Sequence, residues 1–279
     1  MINIPAIKLF NGVEMPTEGF GVFQISETEC KNIVLDAIHI GYRLIDTASS
    51  YKNEQAVGDA VKQAIDECIV SRDELFITTK AYIQEMGYDN LKWAFERSLK
   101  NLGLEYLDLY LIHMPLGDYY GAWRAMEELY EQGRIRSIGV CNFDSARLMD
   151  LCYNATIKPM VNQILLHISN TPIELVEYCQ KNNIAVEAYS PIAHGEILNQ
   201  LEITTIAKKY GVTVPQLCIR YTLQLGAISL PKTGNPEHMK SNAQLDFQIS
   251  AEDMELLKNF KKIKSYGDSG NFPVYGGKM

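Results

Sequence analysis

The chain has no C-x-x-C pair, no basic block, and no apolar run approaching the ~20 residues that span a bilayer. Lysine and arginine total 26 against 34 aspartates and glutamates, and the resulting charge of −8 argues against a nucleic-acid or anionic membrane surface. A local basic pocket for a phosphorylated small molecule stays compatible with that balance. The six cysteines, at positions 30, 68, 141, 152, 179 and 218, lie on separate segments. They read as reduced thiols serving as small hydrophobes, which points to a cytoplasmic protein. The opening "MINIPAIKLF" has neither the basic n-region nor the long apolar h-region of a secretory leader. His113, His167 and His194 fall on different segments with no H-x-H or H-E-x-x-H spacing, so no metal site is expected. Linkers, repeats and low-complexity stretches are missing too. The expectation is one domain over 1–279, with an aperiodic tail over 264–279.

What is present is alternation. "AIKLF" and "VEMPT" flank Asn11-Gly12, the preferred pair of a type I′ turn, which predicts an N-terminal hairpin. Eight apolar strand-like runs follow, at 19–23, 44–48, 75–80, 107–113, 135–142, 160–166, 184–190 and 227–232. Between them lie stretches with apolar residues at three- and four-residue spacing, such as 28–41, 53–69, 89–103 and 172–183. Two helices are expected between the last two strands, at about 198–210 and 213–225, and a capped one at 250–260. Eight β/α alternations with strands too apolar to face water predict an α/β chain folded as a (β/α)8 TIM barrel. A doubly wound open sheet is the runner-up. "GFGVFQ" lacks the third glycine of a dinucleotide fingerprint and follows a hairpin instead of opening a helix.

In such a barrel, chemistry sits at the C-terminal ends of the strands. Asp46 closes the second run, Lys80 the third and His113 the fourth, and Tyr51 lies in the loop after the second. Singly, each has an ordinary explanation: a cap, a lysine reaching water, a hydrogen-bonded core histidine, a packed phenol. Together, on neighbouring strands, they form a set with a definite chemistry. A phenol of pKa roughly 10 is a weak donor at neutral pH, and a nearby ammonium favours its phenolate. Lys80 would supply that ammonium and Asp46 its counter-ion. Tyr51 would then act as general acid nearer working pH, with neutral His113 orienting a carbonyl. None but Lys80 is placed as a covalent nucleophile, and a hydride from a nicotinamide fits the missing role.

With these residues in view, the sequence resembles the aldo/keto reductases. The resemblance runs through "NGVEMPTEGFGVFQ", "GYRLIDTASSYKNEQAVG", "FITTK", "LDLYLIHMP", "WRAMEELYEQGRIRSIGVCNF", "VNQ", "AYSP" and "LPKTGNPEHMKSN". It is similar to bacterial members of the 2,5-diketogluconate reductase type. The resemblance implies NADPH-dependent reduction of a small carbonyl substrate, with Asp46, Tyr51, Lys80 and His113 as catalytic tetrad. It also implies a cofactor extended across the barrel rim. Cys141, Asn142 and Gln163 match positions around the nicotinamide amide, and Tyr189 the ring on which it stacks. Ser190 and Ile192 would run beside the pyrophosphate, while Lys232, Thr233, His238 and Asn242 would surround the adenosine 2′-phosphate. A cation, a hydroxyl and a helix start at "LPKTGNPEH" favour an anion there independently of the resemblance.

Departures from the family pattern carry information. His238 replaces a usual arginine, losing a permanently charged bidentate contact, so NADH is expected as a weaker alternative cofactor. Cys141 replaces a serine, Leu165 a glutamate and Ile168 a proline. Glu18 replaces a leucine, with solvent exposure or a local ion pair as the default expectation. Phe23, Met114 and the loop 115–123 are the substrate-pocket candidates, and Phe272, Pro273 and Tyr275 of the tail are candidate contacts at the mouth. Two other readings stay open: a nicotinamide-binding regulatory subunit with little turnover, and a Schiff-base aldolase using Lys80.

Overall fold

The computed structural model describes residues 2–263. The tail 264–279, with Phe272, Pro273 and Tyr275, lies outside the described residues. Strands β1 (Ala6–Lys8) and β2 (Glu14–Pro16) pair antiparallel, as the hairpin reading expects. The turn between them is of a different type. Leu9 N–H donates to the Val13 carbonyl at 2.9 Å and Gly12 N–H to the Leu9 carbonyl at 2.8 Å. Gly12 has φ of 88°, but Asn11 is not left-handed, whereas a type I′ turn requires both to be. The loop is therefore a three-residue one, closed by a glycine bulge. Asn11 is committed elsewhere: its Nδ2 donates to the Arg136 carbonyl at 2.9 Å, tying the hairpin across the barrel floor.

Eight parallel strands follow: β3 (Gly19–Gly21), β4 (Leu44–Asp46), β5 (Phe76–Ala81), β6 (Leu109–Ile112), β7 (Ile138–Cys141), β8 (Val161–Leu165), β9 (Ala185–Tyr189) and β10 (Ile228–Leu230). Each pairs with the next in chain order. Ser229 N–H donates to the Thr17 carbonyl at 2.9 Å and Gly21 N–H to the Pro231 carbonyl at 3.1 Å, which joins the last strand to the first. The fold is a (β/α)8 barrel, and the open-sheet alternative is set aside.

Around it run α1 (Glu27–Ile40), α2 (Glu54–Asp66), α3 (Tyr88–Leu102), α4 (Tyr119–Glu131), α5 (Ser145–Asn154), α6 (Ile173–Lys181), α7 (Leu201–Lys209), α8 (Val214–Gln224), α9 (Pro236–Asn242) and α10 (Ala251–Lys258). Their starts follow side-chain chemistry. Thr213 and Gln216 form a capping box ahead of α8, and Ser250 accepts from Asp253 N–H ahead of α10. Helix α4 starts inside the expected pocket loop 115–123. Asp118 accepts from Gly121 N–H at 2.8 Å, and Ala122, Trp123 and Met126 bury against the barrel wall. Among the described residues, no helix is long and apolar enough to cross a membrane.

Register sets the depth of the chemistry. Asp46 pairs with Thr78, so Lys80 stands two residues further along the next strand, on the same inward face. Gln163 pairs with Cys141 on one side and Glu187 on the other.

Glu18 corrects an expectation. It is 2% exposed and, among the described residues, has no ion-pair partner. The Tyr42 hydroxyl lies 2.9 Å from its Oε1 and 3.1 Å from the Met239 carbonyl in α9. One hydroxyl proton cannot serve both acceptors fully; a protonated Glu18 that donates to Tyr42 satisfies the whole chain. Burial pushes the Glu18 carboxyl up to about 8 from an ordinary 4.5, against the opposing pull of the Tyr42 hydrogen bond. The folded state thus holds a proton that the unfolded chain has already released. Stability from neutral Glu18 is fully present below about pH 4.5 and lost as pH rises through about 8. Glu18→Gln, a neutral donor at every pH, should stabilise the protein by roughly 3 kcal/mol above pH 8 and change little near pH 5. Urea unfolding at both pH values checks this; a shift of equal size at the two would contradict it.

Candidate active site

The site is built on the loop after β4. A 3-10 turn, Ser49–Tyr51, presents the phenol, closed by Tyr51 N–H to the Ala48 carbonyl at 3.0 Å and followed by left-handed Lys52, φ 59°. The polar residues beside it are buried ties. Thr47 donates to Asn53 Oδ1 at 2.8 Å, Asn53 Nδ2 donates to the Val22 carbonyl at 3.0 Å, and Thr79 donates to Glu54 Oε1 at 2.7 Å. Three neighbouring segments thereby fix where the hydroxyl points.

Lys80 is fully buried, and its ammonium has three acceptors for three hydrogens: Asp46 Oδ1 at 2.6 Å, the Thr47 carbonyl at 2.9 Å and Tyr51 Oη at 3.4 Å. Burial pulls its pKa down, but Asp46 and Tyr51 outweigh that, and the amine is held above its ordinary value. For Tyr51 the balance differs from the sequence reading. Burial pushes the phenol up, Lys80 pulls it down, and Asp46 and Cys141 push it up again. The net is above the ordinary phenol value, so the expected approach to working pH is not met in this arrangement. The reason is that residue types announce the ammonium but not the depth at which the hydroxyl is buried.

His113 follows β6 and keeps a ladder bond, its N–H to the Ala81 carbonyl at 2.9 Å. Its ring packs edge-on to Tyr51 at 5.6 Å and to Tyr82 at 5.4 Å, and Nδ1 lies 3.4 Å from Ser50 Oγ. Burial, with the Lys80 charge, holds it well below the usual imidazole pKa, so it is neutral. Across the barrel, Asn142 is left-handed at φ 65°, donates Nδ2 to the His113 carbonyl at 3.1 Å, and accepts the Tyr189 hydroxyl at 2.8 Å. Gln163 Nε2 donates to Asp46 Oδ2 at 2.9 Å and to Glu187 Oε2 at 2.7 Å. Cys141 Sγ lies 3.8 Å from Gln163 Oε1 and 3.1 Å from Asn142 Nδ2.

Asp46, Tyr51, His113, Cys141, Asn142 and Gln163 border one cavity of about 1020 Å³, whereas Lys80 and Glu187 lie behind its wall. It runs from Phe23, Tyr51 and Tyr82 past Tyr189 to Lys232, Thr233 and His238. Met114, Ser190, Ile192 and Asn242 also line it; the stretch 115–123 does not. Phe23 stands 46% exposed at the mouth, 5.0 Å from the Tyr51 ring. A Cβ on Gly21 would meet nothing closer than 3.8 Å, so a side chain there would project into the cavity. At the far end the helix-start expectation needs revision. Pro236 has no N–H, Asn235 Oδ1 accepts from Glu237 N–H at 2.9 Å, and Thr233 Oγ1 accepts from Asn235 N–H at 3.1 Å. The side chains of Lys232, Thr233 and His238, more than free helix amides, are what an anion would meet. Sequence reading passed over Ser50, Tyr82, His194 and Leu198 on the cavity wall. His194 sits in a segment whose Ser190, Ala193 and His194 all have positive φ, a strain with no sequence signal beyond the following glycine.

Known proteins resemble this chain along most of its length. A family model described as the aldo/keto reductase family matches residues 16–262. The glyoxal reductase of Bacillus subtilis is 45% identical, over 94% of this chain and 94% of its own. The 9,11-endoperoxide prostaglandin H2 reductase of Trypanosoma cruzi is 40% identical, over 97% and 96%. Among solved structures, an aldo-keto reductase of Bombyx mori in complex with NADP superimposes with a TM-score of 0.91 at 35% identity, covering 99% of both chains.

Proposed function

Because the chain belongs to the aldo/keto reductase family, we propose that it is an NADP(H)-dependent oxidoreductase reducing a small aldehyde or ketone to the alcohol, with Tyr51 as proton donor. One observation carries the reading: a single buried ammonium, Lys80, bonds both to Asp46 and to the phenol that faces the cavity. The donor set suits a dinucleotide. Asn142 and Gln163 offer amides at the catalytic end, Tyr189 a ring face between, and Lys232 with Thr233 a cation and hydroxyl at the far end. NADP bound to the silkworm relative supports the same cofactor here.

In this reading the substrate oxygen is taken up by the Tyr51 hydroxyl and the neutral His113 imidazole. NADPH held by Asn142, Gln163 and Tyr189 would supply a hydride to the carbonyl carbon. As charge gathers on the oxygen, the Tyr51 proton moves to it. An alkoxide is a stronger base than a phenolate, so the transfer runs downhill even from a phenol of raised pKa. Lys80 lowers the cost of leaving that phenolate in a buried place, and Asp46 keeps Lys80 charged. The substrate range rests on Phe23, Tyr82 and Met114, which line the cavity beside the Tyr51 hydroxyl.

The aldolase reading needs an unprotonated Lys80, and the three hydrogen bonds with the Asp46 charge oppose it. Borohydride with an aldehyde should leave no adduct on Lys80. The deciding experiment is oxidation of NADPH and of NADH against a carbonyl panel. No turnover with any carbonyl would favour the regulatory reading and reject this one. Lys232→Ala should weaken NADPH by about tenfold or more and NADH far less, since a charge-assisted phosphate contact contributes roughly 1.5–3 kcal/mol. Equal losses for both cofactors would remove Lys232 from the phosphate site.

A further inference from the structure

Glu187 takes no part in the mechanism above, yet it is fully buried under the cavity, on β9 directly opposite Gln163. Both N–H bonds of the Gln163 amide are used on carboxyl oxygens, one on Glu187 at 2.7 Å and one on Asp46 at 2.9 Å. Its carbonyl oxygen lies 3.8 Å from Cys141 Sγ, and both residues line the cavity. A half turn of the amide would set that oxygen against the Asp46 carboxylate, which is paired with Lys80 and has no proton to offer, and would turn both N–H bonds away from their acceptors. Asp46 alone would hold one N–H and leave the other at liberty to swing. Two acceptors on opposite strands fix both.

We infer that Glu187 is a positioning residue that acts through Gln163, locking the amide so that an acceptor oxygen, not an N–H, faces the cofactor's carboxamide. The inference rests on the cofactor reading above. It predicts that the bound ring is held by a hydrogen bond from its carboxamide N–H to the Gln163 oxygen, whose direction Glu187 dictates.

Charge adds a second consequence. The groups facing Glu187 are Asp46 on β4, Lys80 on β5, Cys141 on β7 and Gln163 on β8, with Tyr51 in the loop beyond. Lys80 is their one cation among the described residues, and its bonds go to Asp46, Thr47 and Tyr51. Among the described residues, Glu187 Oε1 has no hydrogen-bond partner. Burial first, then the Asp46 charge, pushes the Glu187 carboxyl up to about 8, against Gln163 and Lys80. Losing that proton places a second negative charge in the cluster and weakens the Lys80 field at Tyr51. An alkaline fall in kcat/KM near pH 8 follows.

Glu187→Gln keeps an acceptor for Gln163 but cannot ionise; Glu187→Leu removes the acceptor. The measurements are pH profiles of kcat/KM and binding of NADPH and of adenosine 2′,5′-bisphosphate, which touches the phosphate end alone. Expected for Glu187→Gln are activity within about threefold of wild type near neutral pH and an alkaline limb moved up or lost. Expected for Glu187→Leu is about tenfold weaker NADPH with the bisphosphate unaffected, and restoration of NADPH affinity in Glu187→Gln. An unchanged alkaline limb in Glu187→Gln, or equal NADPH losses in both variants, overturns the assignment. Should Glu187→Leu not fold, the limb in Glu187→Gln decides alone. If wild type binds neither NADPH nor the bisphosphate, the cofactor reading itself has failed, an outcome distinct from the other two.

Discussion

Tyr51→Phe is expected to cut carbonyl reduction by about 10²–10⁴-fold while leaving NADPH affinity within about twofold of wild type. The asymmetry comes from what the hydroxyl touches. Among the described residues its hydrogen-bond partner is Lys80, at 3.4 Å, and Lys80 keeps Asp46 and Thr47 without it. The ring still packs on Phe23 and His113, at 5.0 and 5.6 Å. Folding should lose no more than about 1 kcal/mol, the usual net worth of one hydrogen bond. The competing donor is His113. Its pKa is held well below the ordinary imidazole value, so at neutral pH it has no proton to give without becoming an imidazolate. If His113 were the donor, activity would survive in Tyr51→Phe and fall steeply as pH rose above the acid range. Single-turnover reduction with cofactor affinity measured separately distinguishes the cases. Turnover in Tyr51→Phe equal to wild type would dismiss the phenol as the acid.

Much of the site was readable because strand ends are marked in the sequence. Asp46, Lys80 and His113 each close an apolar run, and parallel register places such ends on one rim. What escaped did so for definite reasons. Glu187 lies inside "IAVEAYS" and reads as a strand residue; the available signal was a charge on an inward-facing position of a buried strand. Glu18 stands one residue ahead of the first apolar run, where a charge reads as surface, and its burial comes from the packing of Tyr42 and α9. Asn11-Gly12 suits two turn types, and the tie from Asn11 to Arg136, 125 residues away, belongs to the side of the question that local sequence does not reach. Pro115, Gly117 and Gly121 made 115–123 look like loop, while Asp118 three residues before Gly121 was the overlooked cap of α4. The sign of the Tyr51 shift needed burial depth, which no spacing encodes.

Asp46→Asn should lower kcat by about 10²-fold or more at neutral pH and give a rate that recovers in part as pH falls. Asparagine keeps the shape and one acceptor but removes the charge that opposes desolvation of Lys80. In wild type the amine is held above its ordinary value, so its stabilising contribution is fully present at neutral pH and lost only as pH rises through that higher pKa. In the variant, burial dominates and the folded-state pKa drops below the unfolded one. A neutral Lys80 no longer supports the Tyr51 phenolate, and acid restores it by protonation. Stability moves the opposite way: protonating an unpaired buried amine disfavours the fold, so Asp46→Asn should become less stable as it becomes more active. Breaking the pair by removing one partner should cost roughly 3–5 kcal/mol at the outset, so circular dichroism and cofactor affinity must first establish that the variant is folded. The same neutral amine should make Lys80 open to borohydride trapping with an aldehyde, which wild type resists. A variant whose rate falls with pH in parallel with wild type would mean that Lys80 stays charged without Asp46. The electrostatic role given to the aspartate would then be wrong.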